Sequence, residues 1–213
     1  PYDMSESVYG PAMLVALDRW VSSGIEPPAS RYPRIADGTL VTLEKWQQSF
    51  PALPGVRKPE VLFAPLRLDS GPRWHSEGIA DFIPPKVGRP FVTLVPAVDA
   101  DGIELAGIRL PGVSVPLATY AGWNIRDPKH GAAGMLGRWS GSRWPLPRTR
   151  ADREQSGDPR RSILERYPTR ADYLAAVTAA ALELQGERRL LDEDVTRILQ
   201  AAARVSAWER GER

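Results

Sequence analysis

Gly10-Pro-Ala-Met-Leu-Val-Ala-Leu-Asp-Arg-Trp-Val-Ser-Ser-Gly24 is the stretch from which the organisation of this 213-residue chain follows. Met13, Leu14, Leu17, Trp20 and Val21 recur at the spacing that gathers apolar side chains on one stripe of an α-helix. Pro11 suits a first helical turn, where no N–H is needed, and Gly24 suits the stop. The pattern predicts a helix over 10–22. A helix this short is marginal alone, so its stripe needs a surface to lie on.

Beyond Gly24 the texture changes. Residues 25–147 hold most of the prolines, in clusters such as Pro27-Pro28, Pro84-Pro85 and Pro145-Leu-Pro147. Each removes a backbone donor and pushes its predecessor towards extended conformations, so long helices are not expected. Phe91–Val98 and Ile103–Leu110 are two apolar runs joined by Asp99-Ala-Asp-Gly102, a pattern that predicts a β-hairpin over 91–110. Pro96 marks its first run as an edge strand or a bulge. So long a non-repetitive excursion is odd in a free-standing domain and is expected to wrap something larger.

From Thr149 onward helix signals are dense. Thr149 with Asp152, Ser162 with Glu165 and Thr169 with Asp172 each place a hydroxyl three residues before a carboxylate, the reciprocal arrangement that caps a helix start. Tyr173, Leu174, Val177, Ala181 and Leu184 make one stripe, ended by Gly186. Val195, Ile198, Leu199, Ala202, Val205 and Trp208 make another, opened by Asp192. They predict a helical hairpin of about 170–185 and 193–208.

Composition narrows the function classes. With 28 basic against 26 acidic residues, roughly cancelling in each half, no polyanionic partner such as nucleic acid is implied. Arg143, Arg148, Arg150, Arg160, Arg161 and Arg166 lie near Trp139 and Trp144, but interleaved Asp152, Glu154, Asp158 and Glu165 neutralise them into a salt-bridged surface. No apolar run is long enough for a membrane span. The 18 Gly and 21 Pro are about half again the average share, so turns and irregular connections abound. The absence of Cys excludes a disulfide framework, a thiolate metal site and a cysteine nucleophile. A chain opening on Pro1 rather than Met is expected to be processed or a fragment.

The chemical motifs are sparse. Gly137-Arg-Trp-Ser140-Gly141 places its serine one residue late for the Gly-x-Ser-x-Gly elbow of a hydrolase, which makes Ser140 a loop serine. His75 and His130 lie in loop-like contexts with neither a HExxH pair nor cysteine, so no protein-ligated metal and no other cofactor is expected. Asp99-Ala-Asp101-Gly102 resembles half a calcium loop but lacks the distal glutamate, and a turn is the simpler expectation. Gly131-Ala-Ala-Gly134-Met-Leu-Gly137 is Gly-rich without the following Lys-Ser or Lys-Thr of a phosphate cradle. The most site-like stretch is Thr119–Arg126. There Tyr120, Trp123, Asn124 and Arg126 combine aromatics, an amide and a guanidinium amid small residues, suited to lining a substrate pocket. The alternative is that Tyr120 and Trp123 anchor the excursion to a domain surface.

Eight ordered blocks carry a resemblance. They are Ala16–Gly24, Pro27–Arg34, Ala36–Val41, Leu94–Gly102, Gly107–Pro111, Val115-Pro-Leu-Ala-Thr-Tyr-Ala-Gly-Trp-Asn124, Gly157-Asp-Pro-Arg160 and Glu165-Arg-Tyr167. Together they resemble the C-terminal half of a bacterial family of large α/β-hydrolase domain-containing proteins. The fold this implies is an α/β hydrolase seen as its C-terminal fragment. Residues 1–24 would end the catalytic domain, 25–148 form a Pro/Gly-rich wrapping extension, and 149–213 form a helical segment. The order in such hydrolases is nucleophile, acid, histidine, then a last helix, so the triad is expected upstream and no catalytic residue within this chain. The implied partners are that missing N-terminal catalytic domain and a small-molecule ester or acyl substrate. A non-catalytic interaction module on a degenerate hydrolase core is the competing expectation.

Overall fold

The computed structural model describes residues 9–137 and 141–209; Trp139 and Ser140 lie outside the described residues. In chain order the elements are α1 (Gly10–Ser23), β1 (Leu40–Val41), α2 (Leu43–Ser49), β2 (Leu66–Asp69), α3 (Trp74–Glu77), β3 (Lys86–Pro90) and β4 (Val95–Pro96). There follow α4 (Pro111–Ser114), β5 (Ala118–Ala121), β6 (Asn124–Ile125), a 3-10 turn (Pro128–His130), β7 (Leu136–Gly137) and β8 (Ser142–Pro145). The chain ends in α5 (Arg150–Ser156), α6 (Ile163–Arg166), α7 (Arg170–Gly186) and α8 (Asp192–Ala203). Among the described residues the strands pair antiparallel in twos: β1 with β4, β2 with β3, β5 with β8 and β6 with β7.

α1 forms over the span its periodicity predicts, with Pro11 in its first turn and Gly24 closing it at φ +69. Only Ala12 and Ala16 are buried. Met13, Leu14, Leu17, Trp20 and Val21 are all at least half exposed. The stripe therefore faces outward, and the segment after the helix is tied to the α7–α8 connection instead. Arg188 donates to the Glu26 carbonyl at 2.9 Å, Arg189 to the Ala29 carbonyl at 2.6 Å, and Arg31 meets Glu187 at 2.5 Å.

The larger core belongs to the C-terminal helices. Tyr173, Val177, Ala181 and Leu184 of α7 pack on Val195, Ile198 and Ala202 of α8, joined by Val115, Leu146, Ile163 and Tyr167. All three hydroxyl–carboxylate pairs form capping boxes at α5, α6 and α7. α8 differs from expectation at both ends. Its cap is Leu191 rather than Asp192, with only half a box, in which the Leu191 N–H donates to Asp194 at 3.1 Å. It stops at Ala203, because Trp208 leaves the helix axis to donate to the Tyr167 carbonyl at 2.9 Å and lie on Tyr173 with ring centres 5.0 Å apart.

The 91–110 hairpin contracts to its turn. The Asp99 N–H donates to the Ile103 carbonyl at 2.8 Å, Leu105 to Ala97 at 2.9 Å, and one bridge joins Val98 to Glu104. Val95 and Pro96 pair with Leu40 and Val41 on another segment, so the first run serves β1. Pro96 has no N–H to extend a ladder, and the second run turns away at Gly107, φ +97. Phe91 instead donates its N–H to Pro65, continuing the β2–β3 arm. A second, smaller core forms where Val41, Trp46, Phe50 and Leu53 close over β4 and the aromatic side chains Trp123 and Trp144. It depends on α2, a short helix capped by Thr42 in a region where the prolines argue only against long ones.

Candidate functional site

The candidate stretch Thr119–Arg126 crosses from β5 to β6. The pairing of β5 with β8 sets Tyr120 opposite Arg143 and Thr119 opposite Trp144, so the alternation of a strand sends Thr119 inward and fully buries it. Tyr120 is half-buried on the other face, with the Arg143 guanidinium 6.0 Å from its ring centre.

Trp123 sits within a cluster of four aromatic rings. Its ring centre lies 5.7 Å from Trp46, 5.7 Å from Phe50 and 5.2 Å from Trp144, in edge and tilted geometries that suit aromatic quadrupoles. One side of this cluster opens into a mostly apolar cavity of about 150 Å³, bounded by Tyr120, Trp123, Trp46, Leu62 and Val98, with Glu104 as the acid in its wall. Desolvation raises the Glu104 pKa, so this carboxyl gives up its proton less readily than an ordinary glutamic acid.

The geometry thus divides the four candidates. Tyr120 and Trp123 share the cavity. Asn124 and Arg126 are exposed outside its wall, Asn124 paired across to Gly137 and Arg126 donating to the His130 carbonyl at 3.0 Å. Trp123 packs against the small core and also lines the cavity. Leu62 and Glu104 carry no sequence signal that marks them as cavity residues, because the fold brings them there from separate loops.

Beneath the cavity lies a polar clamp. The Arg160 guanidinium is buried and uses all five N–H groups. It donates to both carboxylate oxygens of Asp158 at 2.9 and 2.6 Å, to Thr119 Oγ1 at 2.8 Å, and to the carbonyls of Trp144 and Pro145 at 2.9 and 3.0 Å. Thr119 in turn donates to the Asp101 carbonyl, and Arg166 forks onto the Asp101 carboxylate. Asp99 caps its own turn by accepting from Asp101 and Ile103 N–H groups and pairs with Arg109 at 2.8 Å. Both acids of the calcium-like turn are thereby engaged by guanidinium groups. Burial works to raise the Asp158 pKa, and the bonds from the Arg160 side chain and N–H outweigh it, leaving the carboxyl below its usual value.

His75 and His130 are both exposed, and neither imidazole makes a hydrogen bond or ion pair with another described residue. Among the described residues no group of three His, Asp or Glu converges as a metal site. No helix among them is long and apolar enough to cross a membrane.

Three of the blocks that carry the family resemblance meet here: Thr119, Asp158 and Arg160 form the clamp, and the Asp99–Gly102 turn docks on it. A family model described as "Alpha/beta hydrolase domain" matches residues 2–200. This chain belongs to that α/β-hydrolase family, as the ordered blocks anticipate. No curated protein and no solved structure matches it.

Proposed function

We propose that this chain is the C-terminal part of a serine-type α/β hydrolase acting on ester or related acyl bonds, shaping the substrate pocket of a catalytic domain on which it packs. The observation that carries this reading is surface. Large apolar side chains of the described residues stand exposed in two stretches. They are the α1 stripe and the arm from Val61 to Val92, where Phe63, Leu66, Leu68, Val87 and Val92 stand outward. Apolar surface on this scale marks an interface, and family membership gives the partner its kind.

In this arrangement the partner domain supplies the serine, its activating histidine and the acid, and backbone amides hold the oxyanion. Tyr120 and Trp123 form the wall for the acyl chain. Asn124 and Arg126, exposed beside them, are the polar groups available to substrate at the junction. A Leu62→Trp substitution narrows the cavity without touching the aromatic cluster's own residues. In the intact hydrolase it should lower kcat/KM for longer acyl chains by roughly tenfold while sparing short ones. An unchanged chain-length profile across a series of p-nitrophenyl esters would remove the pocket assignment.

The exposed arm also favours the second reading, a non-catalytic interaction module on a degenerate hydrolase core. The coding sequence preceding residue 1 separates the two. Gly-x-Ser-x-Gly followed by an acid and a histidine supports the hydrolase, and a long open frame without them supports the module.

A further inference from the structure

A second cavity, of about 390 Å³, lies apart from the Tyr120–Trp123 cavity and shares none of its lining residues. Its wall contains Arg31, Arg34 and Arg109, with Tyr32, Thr39 and a single carboxylate, Asp37. Its defining property is an excess of hydrogen-bond donors over acceptors.

Each guanidinium offers five N–H groups in a planar fork. Arg31 makes one side-chain bond, to Glu187, and Arg109 one, to Asp99. The Nε of Arg109 is buried with no acceptor among the described residues. Arg34 makes no side-chain hydrogen bond with a described residue. Its guanidinium lies 4.5 Å from the centre of the Tyr32 ring, which holds the plane in place while leaving its N–H edge unused. Asp37 offsets part of the charge but accepts no hydrogen bond from these guanidinium groups; its Oδ1 accepts instead from the Thr39 hydroxyl at 2.5 Å and from the Thr39 N–H at 3.1 Å. Those bonds, with a smaller contribution from the Arg34 charge, keep its pKa below the usual value.

The partner that such a donor-rich wall lacks is an acceptor-rich group. Planar guanidinium forks recognise carboxylate and phosphate oxygens in pairs. The cavity is far larger than a bare oxyanion needs and falls within the range of small-molecule sites. Leu105 and Ala106, on the segment that also carries Arg109, add apolar lining. We propose that this cavity binds a small organic anion, its carboxylate or phosphate held by Arg34 and Arg109 and its apolar body set against Tyr32 and Leu105.

The test is titration calorimetry on the purified protein with four probes: benzoate, phenyl phosphate, inorganic phosphate and neutral benzamide. Saturable millimolar or tighter binding of benzoate or phenyl phosphate, with benzamide silent, supports the site, and whichever anion binds more tightly identifies the head group. Arg34 is exposed, so Arg34→Gln should leave the far-UV circular dichroism spectrum unchanged while weakening the bound probe roughly tenfold or more. Tyr32→Ala should weaken the aromatic anions more than it weakens inorganic phosphate, which loses only the positioning of Arg34. Absence of saturable binding by every anionic probe overturns the proposal, and so does an affinity unchanged in Arg34→Gln. Neither result bears on ester hydrolysis, which is assigned to the other cavity.

Discussion

Arg160 is the residue on which the arrangement most depends, because one buried guanidinium ties three separate segments together. It holds its near neighbour Asp158, the β5 hydroxyl of Thr119 and two carbonyls at the end of β8. Side-chain exposure is 3% for Arg160 and 5% for Asp158, so neither charge can be rescued by water if its partner is removed. Arg160→Ala is therefore expected to cost about 3–5 kcal/mol, read in the intact hydrolase from the urea midpoint at constant slope. The double variant Asp158→Ala with Arg160→Ala should cost less than the sum of the singles, because it leaves no unpaired buried charge. A single-variant loss below about 1 kcal/mol would show the clamp to be solvated in practice. The Gly157-Asp-Pro-Arg160 block is thus a structural signature, and its chemistry is that of a fastener.

At the scale of elements, three helix starts share one device, in which a hydroxyl and a carboxylate satisfy each other's backbone donors. At α6 the Ser162 hydroxyl and N–H both donate to the Glu165 carboxylate, at 2.7 and 2.8 Å, and Arg153 adds a third contact at 3.1 Å. The bonds from Ser162, with the Arg153 charge behind them, pull the Glu165 pKa down to about 2. A depressed folded-state pKa means stabilisation that is complete above the unfolded value, about 4.3, and is lost as pH falls through the folded value. Helical circular dichroism and urea stability are expected to decline between about pH 4.5 and pH 2. Glu165→Gln should flatten part of that decline, and a Gln variant with the same acid profile as the parent would place the titration elsewhere. These caps were legible in the sequence because each is a local spacing of three residues. The extent of the 91–110 hairpin was not, since β4 takes β1 as its partner and β1 lies more than fifty residues earlier.

For the whole molecule, the governing fact is the uncovered apolar surface of two described stretches. Two modest cores, one around α7 and α8 and one around the Trp46–Trp123 aromatics, leave the α1 stripe and the β2–β3 arm without cover from described residues. Expressed alone, the chain is expected to associate or to melt without a sharp transition, and to bind a hydrophobic dye. Leu17→Asp with Val21→Lys, both on the exposed stripe, should reduce that association without loss of the helical signal. A monomeric protein with a cooperative melt and no dye binding would contradict the proposed packing on a catalytic domain.

The sequence by itself determined what depends on near neighbours: the α1 span and its outward stripe, the capping boxes, the α7 core face, the Asp99–Gly102 turn and membership of the α/β-hydrolase family. Tertiary structure alone decided which distant segments meet. It set Trp123 among Trp46, Phe50 and Trp144, separated Tyr120 and Trp123 from Asn124 and Arg126, and brought Arg34 and Arg109 into the lining of one cavity. The physical reason is that periodicity and capping are fixed by short-range backbone geometry. Contacts between proline-rich segments follow from which buried polar groups find partners, and Arg160 and Thr119 find theirs only in the folded chain.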